Sequence, residues 1–462
     1  MQRIRQLLSP SKPEILTDDS RGADRHHRAL LTGIAGIGAR AVSVGVSVVT
    51  VPLTLHYLGN ERFGLWMTIS AVLAMAAFAD FGMGNGVLNT VAKASGKDDR
   101  EGIKKAVSSG FAVLSTIAIA LLTIFFLAYP FVSWANLFRV TSSQARAEAG
   151  PALVVFAVCF ALNISMDVVQ RVQLGLQQGY RYGLWQLSGS IFGFFGVLSG
   201  IAMHVSLPKL VVAIAGAPTF ATILNAIHFF GFLRPDLRPR WKFVSLEIIS
   251  QIAKLGGFFF ILQMVVAIAY SADNFIIARM LGAINVPEYS VPQRLFSLVT
   301  MMSSMLVSGL WPAYAEAISR GDMFWVRNAV RRSLLLVMLA TSIISALLLL
   351  MAPKLIYWWV GPRIHPTYLL LLGLAIWAVM SACGDSLAMF LNGASIIRFQ
   401  VIVASLFGAG CLGAKMIFIR HFGISGIPWA TILTYGILNA LPMAIYIPRI
   451  LRKATPSFVA NV

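Results

Sequence analysis

The sequence predicts an all-α, polytopic membrane protein with about 12 transmembrane helices. Three observations carry this: 58% of its 462 residues are apolar and only 12% are charged, the apolar residues gather into helix-length runs, and the basic residues collect between alternate runs. A soluble domain carries about 25% charged residues. A helix needs about 20 apolar residues to cross roughly 30 Å of hydrocarbon, so about a dozen spans with short loops use up the chain.

The elements follow in chain order. Residues 1–29 are polar and mix Arg3, Arg5, Lys12, Arg21, Arg25 and Arg28 with Glu14, Asp18, Asp19 and Asp24. With no apolar h-region, they read as a cytoplasmic tail and not as a cleaved signal peptide. Apolar runs over 30–57, 63–86, 106–130, 151–170, 183–203 and 210–232 predict six helices and a first lobe at 30–233. Residues 234–254 carry Arg238, Arg240 and Lys242 ahead of Phe243, Leu246, Ile248, Ile249 and Ile252, which predicts a cytoplasmic amphipathic linker at the membrane interface. Runs over 255–281, 288–312, 330–352, 367–391, 400–419 and 427–447 predict a second six-helix lobe at 255–448, and 449–462 is a short cytoplasmic tail.

Counted with the ends of the runs, 26 Lys and Arg lie on the side of the termini and 8 on the other, and Arg40, Arg294 and Lys415 fall inside runs. That bias places both termini in the cytoplasm and requires an even number of spans. It also accounts for the net charge of +19 without nucleic acid, because the basic residues form no soluble patch interleaved with aromatics. No loop on the outer side is long enough to hold a folded catalytic domain. Cys159, Cys383 and Cys411 lie in apolar runs and give no disulfide or zinc pattern.

A shift of 223 residues superposes Leu58-Gly59 on Leu281-Gly282, Gly86 on Gly309 and Asp99 on Asp322, and a shift of 218 superposes Asp167 and Gly175 on Asp385 and Gly393. Both halves start from the same side, so the repeat is parallel about an axis along the membrane normal, a transporter architecture. Asp80-Phe81-Gly82 lacks the Gly-rich and His-Arg-Asp loops of a kinase. Gly96-Lys97 is no phosphate-binding loop, no cofactor motif is present, and His26-His27 is not a metal site.

Ionisable residues inside spans are costly and mark either function or pairing. Arg40 lies about ten residues into the first run, near mid-depth at about 1.5 Å per residue. It reads as a cavity cation that grips an anion such as phosphate, or as a structural arginine paired between helices. Asp273 reads as a coupling-cation site or as a partner of Arg279 or Arg294. Arg294 lines the same cavity or snorkels to the interface. Lys415 is a further cavity cation or a partner for Asp385. Asp80, Asp167 and Asp385 sit toward span ends, where structural roles are expected.

The segment Arg40, Pro52-Leu53-x-Leu55-x-x-x-Leu58-Gly59-x-Glu61-x-Phe63-Gly64-Leu65-Trp66 and Asp80-Phe81-Gly82-Met83-Gly84-Asn85, with Asp273-Asn274-Phe275-Ile276-Ile277, Leu281-Gly282 and Glu288-Tyr289-x-Val291-x-x-Arg294-Leu295, resembles the Wzx-type polysaccharide (O-antigen and exopolysaccharide) flippases of the multidrug/oligosaccharidyl-lipid/polysaccharide superfamily. The resemblance implies two pseudo-symmetric six-helix lobes around a central cavity and no enzymatic activity. It also implies a polyprenyl-diphosphate-linked glycan carried across a bacterial inner membrane by alternating access. Arg40 and Arg294 would then hold the diphosphate, with a coupling cation (H+ or Na+) and polysaccharide polymerase or assembly proteins as partners. A cation-coupled multidrug exporter of the same superfamily and a membrane polysaccharide polymerase or ligase are the competing readings.

Overall fold

The computed structural model describes residues 18–76, 78–138, 140, 142–281, 285–360 and 364–453; the expected tails at 1–17 and 454–462 lie outside them. Helices account for nearly all of these residues, and no strand occurs among them. In chain order they are α1 (Asp18–Ala76), α2 (Met83–Gly96), α3 (Arg100–Ala128), α4 (Ser143–Gly175), α5 (Gly179–Ala202) and α6 (Leu207–Leu233). The second half holds α7 (Leu246–Leu281), α8 (Val286–Ser308), α9 (Leu310–Ser319), α10 (Met323–Val360), α11 (Tyr368–Gly393), α12 (Ile397–Phe422) and α13 (426–453).

Among the described residues, ten helical stretches are long and apolar enough to cross a membrane. One of them, 397–451, holds both α12 and α13, which meet through Cys411 and Thr431 after the chain turns at Gly423. Helix α1 reverses at Gly59 (φ 71°, ψ 170°), so that Phe63 and Trp66 return beside Ser43 and Thr54. Its return limb and α2 make a further pass, which accommodates the twelve expected.

Local chemistry sets the helix starts. Asp99 accepts from Gly102 N at 2.8 Å, Ser142 from Ala145 N at 3.3 Å and Thr367 from Leu370 N at 3.3 Å, each satisfying an amide that the first turn leaves free. Asp322 accepts from Trp325 N at 3.1 Å at the start of α10. The repeat pair Asp99 and Asp322 thus does the same job in each half.

Each half buries two large apolar clusters, and the second half adds a smaller one around Phe407, Cys411 and Tyr435. In each half one large cluster lies at the end of the molecule that carries the described termini (Val107, Val172 and Phe229 in the first half; Val326, Phe390 and Ile447 in the second), and the other lies at the opposite end (Leu65, Phe156 and Leu207; Ile277, Leu371 and Ile419). The halves trade one helix start each: Ala29 of α1 packs in the second half's cluster and Ile252 of α7 in the first's.

Two differences from the sequence reading follow. The first pass extends well before residue 30, because α1 already runs from Asp18. The amphipathic segment 234–254 is not one interfacial helix. Arg234–Phe243 forms short turns, Ser245 N and Ser109 Oγ bond at 3.1 Å, and from Leu246 the chain is already α7. Ile252 is fully buried there, a burial worth about 1.5–3 kcal/mol, so this helix start packs on the first lobe instead of lying on lipid.

Candidate functional site: the cleft between the lobes

The lobes join through a polar seam at the end that carries the termini. Arg320 donates to both oxygens of Asp98 at 2.8 and 2.9 Å and to Glu316 at 3.0 Å. Burial opposes the charge of Arg320, but its bonds to Asp98 and Glu316 outweigh this and hold the guanidinium above its ordinary pKa. Arg25, 3% exposed, donates to Asp322 at 2.7 Å and lies over the Trp325 ring at 5.2 Å. Gln177 donates to Glu316. Asn89 donates to Asn392 O at 2.8 Å and accepts from Trp311 Nε1 at 2.8 Å.

Close packing supports the same seam. Gly33 lies against Leu306 and Gly309 against Ala29, and in the broken second pass Gly82 lies against Gly256. The break at Phe81 and Gly82 (φ 50° and 72°) needs glycine twice over: the left-handed backbone disfavours a side chain, and a Cβ on Gly82 would collide with the Gly256 carbonyl. The Asp80-Phe81-Gly82 motif is therefore a helix break, in which Asp80 accepts from the amides of Gly82 and Gly84 at 2.9 and 3.1 Å.

Beyond Gly33, α1 stands clear of α8. Gly36, one turn on and near the same face, has nothing within 4 Å of where a Cβ would stand. Helical residues advance about 100° each, so Ala29 and Gly33 mark the face toward α8, and Thr32 and Ala35, against Gly179 and Gly183, the face toward α5. By the same count Arg40 and Ser47 fall on the face toward α8, and Ser43, Thr50 and Thr54 between it and the face toward α5. Val42, Val44, Val49, Leu53 and Leu55 are exposed on the other side, as a lipid face requires. The hydroxyl-bearing residues, with Trp66, line a cavity of about 220 Å³ in the first lobe.

Arg40 is exposed on the cleft side, and among the described residues it makes no hydrogen bond or ion pair. Arg294 is likewise exposed without a side-chain partner. On α8 it shares a strip with Met301 and Met305, between the face that meets α1 and the face that lines a cavity in the second lobe. Counted from the Gly33–Leu306 contact at about 1.5 Å per residue, Arg40 stands about 10 Å and Arg294 about 18 Å from the seam. The two guanidinium groups therefore enter the cleft from opposite lobes at neighbouring heights.

Lys415 and Asp273 sit elsewhere. Lys415, 0% exposed, donates to Asp273 Oδ1 at 2.5 Å, and Tyr289 donates to Asp273 Oδ2 at 2.6 Å. The sequence reading gave Asp273 to a coupling cation, Arg279 or Arg294, and Lys415 to the cavity or Asp385; the structure instead closes the two on each other inside the second lobe. Asp167 is bound by Arg171 at 2.7 Å, which also reaches Asp80 at 3.8 Å and Asn85 at 2.7 Å.

Asp385 is the exception among the span-end carboxylates. It lines a second-lobe cavity of about 530 Å³ with Trp377, Tyr435, Asn439, Gln293 and Gln400. Sequence reasoning missed this group, since each of these residues is unremarkable within an apolar run. One signal was present: Asp167 has an arginine four residues on, and Asp385 has Met389.

Two helical lobes joined at one end, parted at the other and bearing unpartnered cations in the parting define a membrane transporter. Known proteins agree with that class. The chain matches the family described as "Polysaccharide biosynthesis protein" over residues 33–318, more than half of its length. A Salmonella typhi relative named for O-antigen transport is 22% identical over 432 residues, 91% of this chain and 96% of its own. One from Yersinia pseudotuberculosis, named for O-antigen export, is 22% identical over 310 residues, 63% of this chain and 66% of its own. The fold is similar to that of a multidrug resistance MATE family transporter of the MOP superfamily in an outward-facing conformation, with a TM-score of 0.78, 16% identity and coverage of 94% and 97%. A MOP superfamily transporter from Pyrococcus furiosus gives a TM-score of 0.76 at 14% identity, with coverage of 94% and 97%. The chain belongs to the polysaccharide biosynthesis protein family, and relatives along most of its length are named as transport or export proteins.

Proposed function

We propose that this transporter is a flippase, moving polyprenyl-diphosphate-linked oligosaccharide repeat units from the cytoplasmic to the outer leaflet of a bacterial inner membrane by alternating access. The observation that carries the reading is the pair of unpartnered arginines, Arg40 and Arg294, entering one cleft from opposite lobes. An arginine left unpaired at membrane depth is costly and is retained where a ligand supplies the anion. A diphosphate suits it, because guanidinium groups grip phosphate oxygens bidentately. The saccharide would occupy the cleft while the prenyl chain stays in lipid.

The excess of basic residues on the side of the termini supports a cytoplasmic seam, with the cleft facing outward. A coupling cation, H+ or Na+, belongs to the proposal, with Asp273 as its carboxylate; Lys415 would have to leave Asp273 for the cation to bind. Polymerase or assembly proteins would receive the flipped unit.

The test is a strain lacking this gene. Lipid-linked repeat units should accumulate on its cytoplasmic face, and the Arg40→Ala variant should reach the membrane at normal abundance without restoring export. Unchanged surface polysaccharide in the deletion strain would overturn the reading.

A further inference from the structure

We propose that the second-lobe cavity around Trp377, Asp385, Tyr435 and Asn439 seats the sugars nearest the diphosphate, and that it favours neutral or amino sugars over uronic acids. This rests on the lipid-linked saccharide reading above and extends it to the glycan.

The cavity is a built site. Its volume of about 530 Å³ lies within the range of pockets for organic ligands, roughly 300–1,000 Å³, and far exceeds what one bare cation fills. Among the described residues no cluster of three metal-ligating side chains exists. The cavity offers hydrogen-bonding atoms that the protein leaves unused. Asn439 is 8% exposed, yet its Oδ1 has no partner. Asp385 makes no hydrogen bond or ion pair among the described residues. Ser297, Thr300 and Ser304 donate their own protons to carbonyls three residues back at 2.8, 2.9 and 3.0 Å, which leaves their oxygens free to accept from a ligand hydroxyl.

An aromatic corner complements these acceptors. The Trp377 and Tyr435 rings meet edge to face at 5.3 Å and 81°, and both line the cavity. Gly384 makes the corner possible, because a Cβ there would overlap the Tyr435 hydroxyl. Sugar rings present C–H faces to such walls and hydroxyls to the polar floor.

Charge sets the class of sugar. The lining holds no Lys, Arg or His, and Asp385 is its one charged residue type. A uronate would bring its charge into a lining that holds no cation to pair with it, and an unpaired charge taken out of water is disfavoured. The repeat sharpens this. Asp167, the counterpart of Asp385, is bound by Arg171, and the position matching Arg171 is Met389. The neutralising arginine is missing in the lobe that has the larger cavity. Arg294 stands one turn from Ser297 on α8, so a diphosphate held there puts the first sugars at the mouth of this cavity.

The test uses full-length protein in lipid nanodiscs, titrated with geranylgeranyl diphosphate, the same lipid bearing N-acetylglucosamine, and the same lipid bearing glucuronic acid. In the natural protein the N-acetylglucosamine probe should bind about fivefold or more tighter than the bare lipid, and the glucuronic acid probe should gain nothing. Asn439→Leu and Trp377→Ala should bring the ratio of sugar-bearing to bare lipid near one, and Trp377→Phe should keep most of it. Affinity for the bare lipid reports folding of each variant.

A ratio that survives both Asn439→Leu and Trp377→Ala would overturn the assignment, as would equal gains from both sugars. Affinity that follows Na+ or pH through Asp385→Asn, with no dependence on sugar, would also overturn it and mark a cation site instead. Failure of the natural protein to bind even the bare lipid would strike the flippase reading itself, a distinct result.

Discussion

The buried contact between Lys415 and Asp273 should respond to mutation in steps that its geometry dictates. Their side chains are 0% and 6% exposed, so Asp273→Ala takes the carboxylate partner from an ammonium held away from water. Breaking a buried pair on one side costs about 3–5 kcal/mol. Tyr289, 3% exposed, loses the acceptor of its 2.6 Å hydrogen bond, which adds about 1–3 kcal/mol. Asp273→Leu with Lys415→Met removes both charges and keeps the volume filled, so only the stranded hydroxyl remains, at about 1–3 kcal/mol. Adding Tyr289→Phe should return the protein to within about 1 kcal/mol of its starting stability. Unfolding by sodium dodecyl sulfate in mixed micelles, followed by tryptophan fluorescence, reads each step. If the triple variant is as unstable as Asp273→Ala, or if Asp273→Ala loses nothing, the pair is not the neutralised unit described here. The triple variant also separates structure from coupling: a stable protein that no longer exports identifies Asp273 as the coupling carboxylate, and one that exports normally dismisses it.

Other expectations are simpler. Arg40→Ala and Arg294→Ala should each lower polysaccharide export about tenfold or more, the value of a charge-assisted hydrogen bond, while Arg40→Lys keeps a part because charge survives and the bidentate grip does not; immunoblots of surface polysaccharide decide this. At the seam, Asp322→Ala should weaken closure by about 1–3 kcal/mol, since buried Arg25 keeps only Glu316 at 3.7 Å, whereas Asp98→Ala should cost under about 1 kcal/mol because that carboxylate is 76% exposed. Electron–electron distances between spin labels at Glu101 and Phe324, in a background lacking cysteine, would show it, and equal effects would contradict the burial argument. Asp236 in the linker accepts from Arg234 and is held below its usual carboxylate pKa. A depressed folded pKa contributes stability above the unfolded value, about 3.9, and loses it only as pH falls lower, so linker protection from protease should be flat from pH 5 to pH 8. Drug accumulation should be the same with and without the gene, unlike the result for a multidrug exporter.

How much of this was legible in the sequence depends on whether the signal was local. Helix number and the two lobes follow from run length and basic-residue bias, which the bilayer imposes on every segment independently. Asp99 and Asp322 were visible as repeat partners, and the caps they form need only three following residues. Arg40 and Arg294 stood out because a guanidinium inside an apolar span is conspicuous. Pairing was not legible: Lys415 and Asp273 are 142 residues apart, and nothing local says which of several buried charges will meet. The cavity around Asp385 was hidden for a related reason. It is assembled from α8, α11, α12 and α13, whose polar residues taken singly look like helix-packing contacts.

The seam and the lobes are held by different chemistry, and that difference bears on movement. Inside each lobe the clusters are apolar, so separating their helices exposes hydrocarbon with nothing to compensate it, at about 25 cal/mol per Å². Beside the apolar contacts of Ala29 and Ile252, the seam is joined by side-chain hydrogen bonds and ion pairs: Arg25 with Asp322, Arg320 with Asp98, Gln177 with Glu316, Asn89 with Trp311. When such an interface opens to water, each donor and acceptor is rehydrated, and the net loss per bond falls to about 0.5–1.5 kcal/mol. The lobes are therefore expected to part as rigid bodies, breaking at the seam before either deforms. Closing costs little for the same reason, and the proposed alternation needs both. An apolar seam of the same area would hold one state too firmly. Asn89→Leu with Gln177→Leu removes one side of two such links and leaves Trp311 Nε1 and a Glu316 oxygen without these hydrogen-bond partners, at about 1–3 kcal/mol each, so this variant should fold, favour the open state and export less; undiminished export from it would refute the argument.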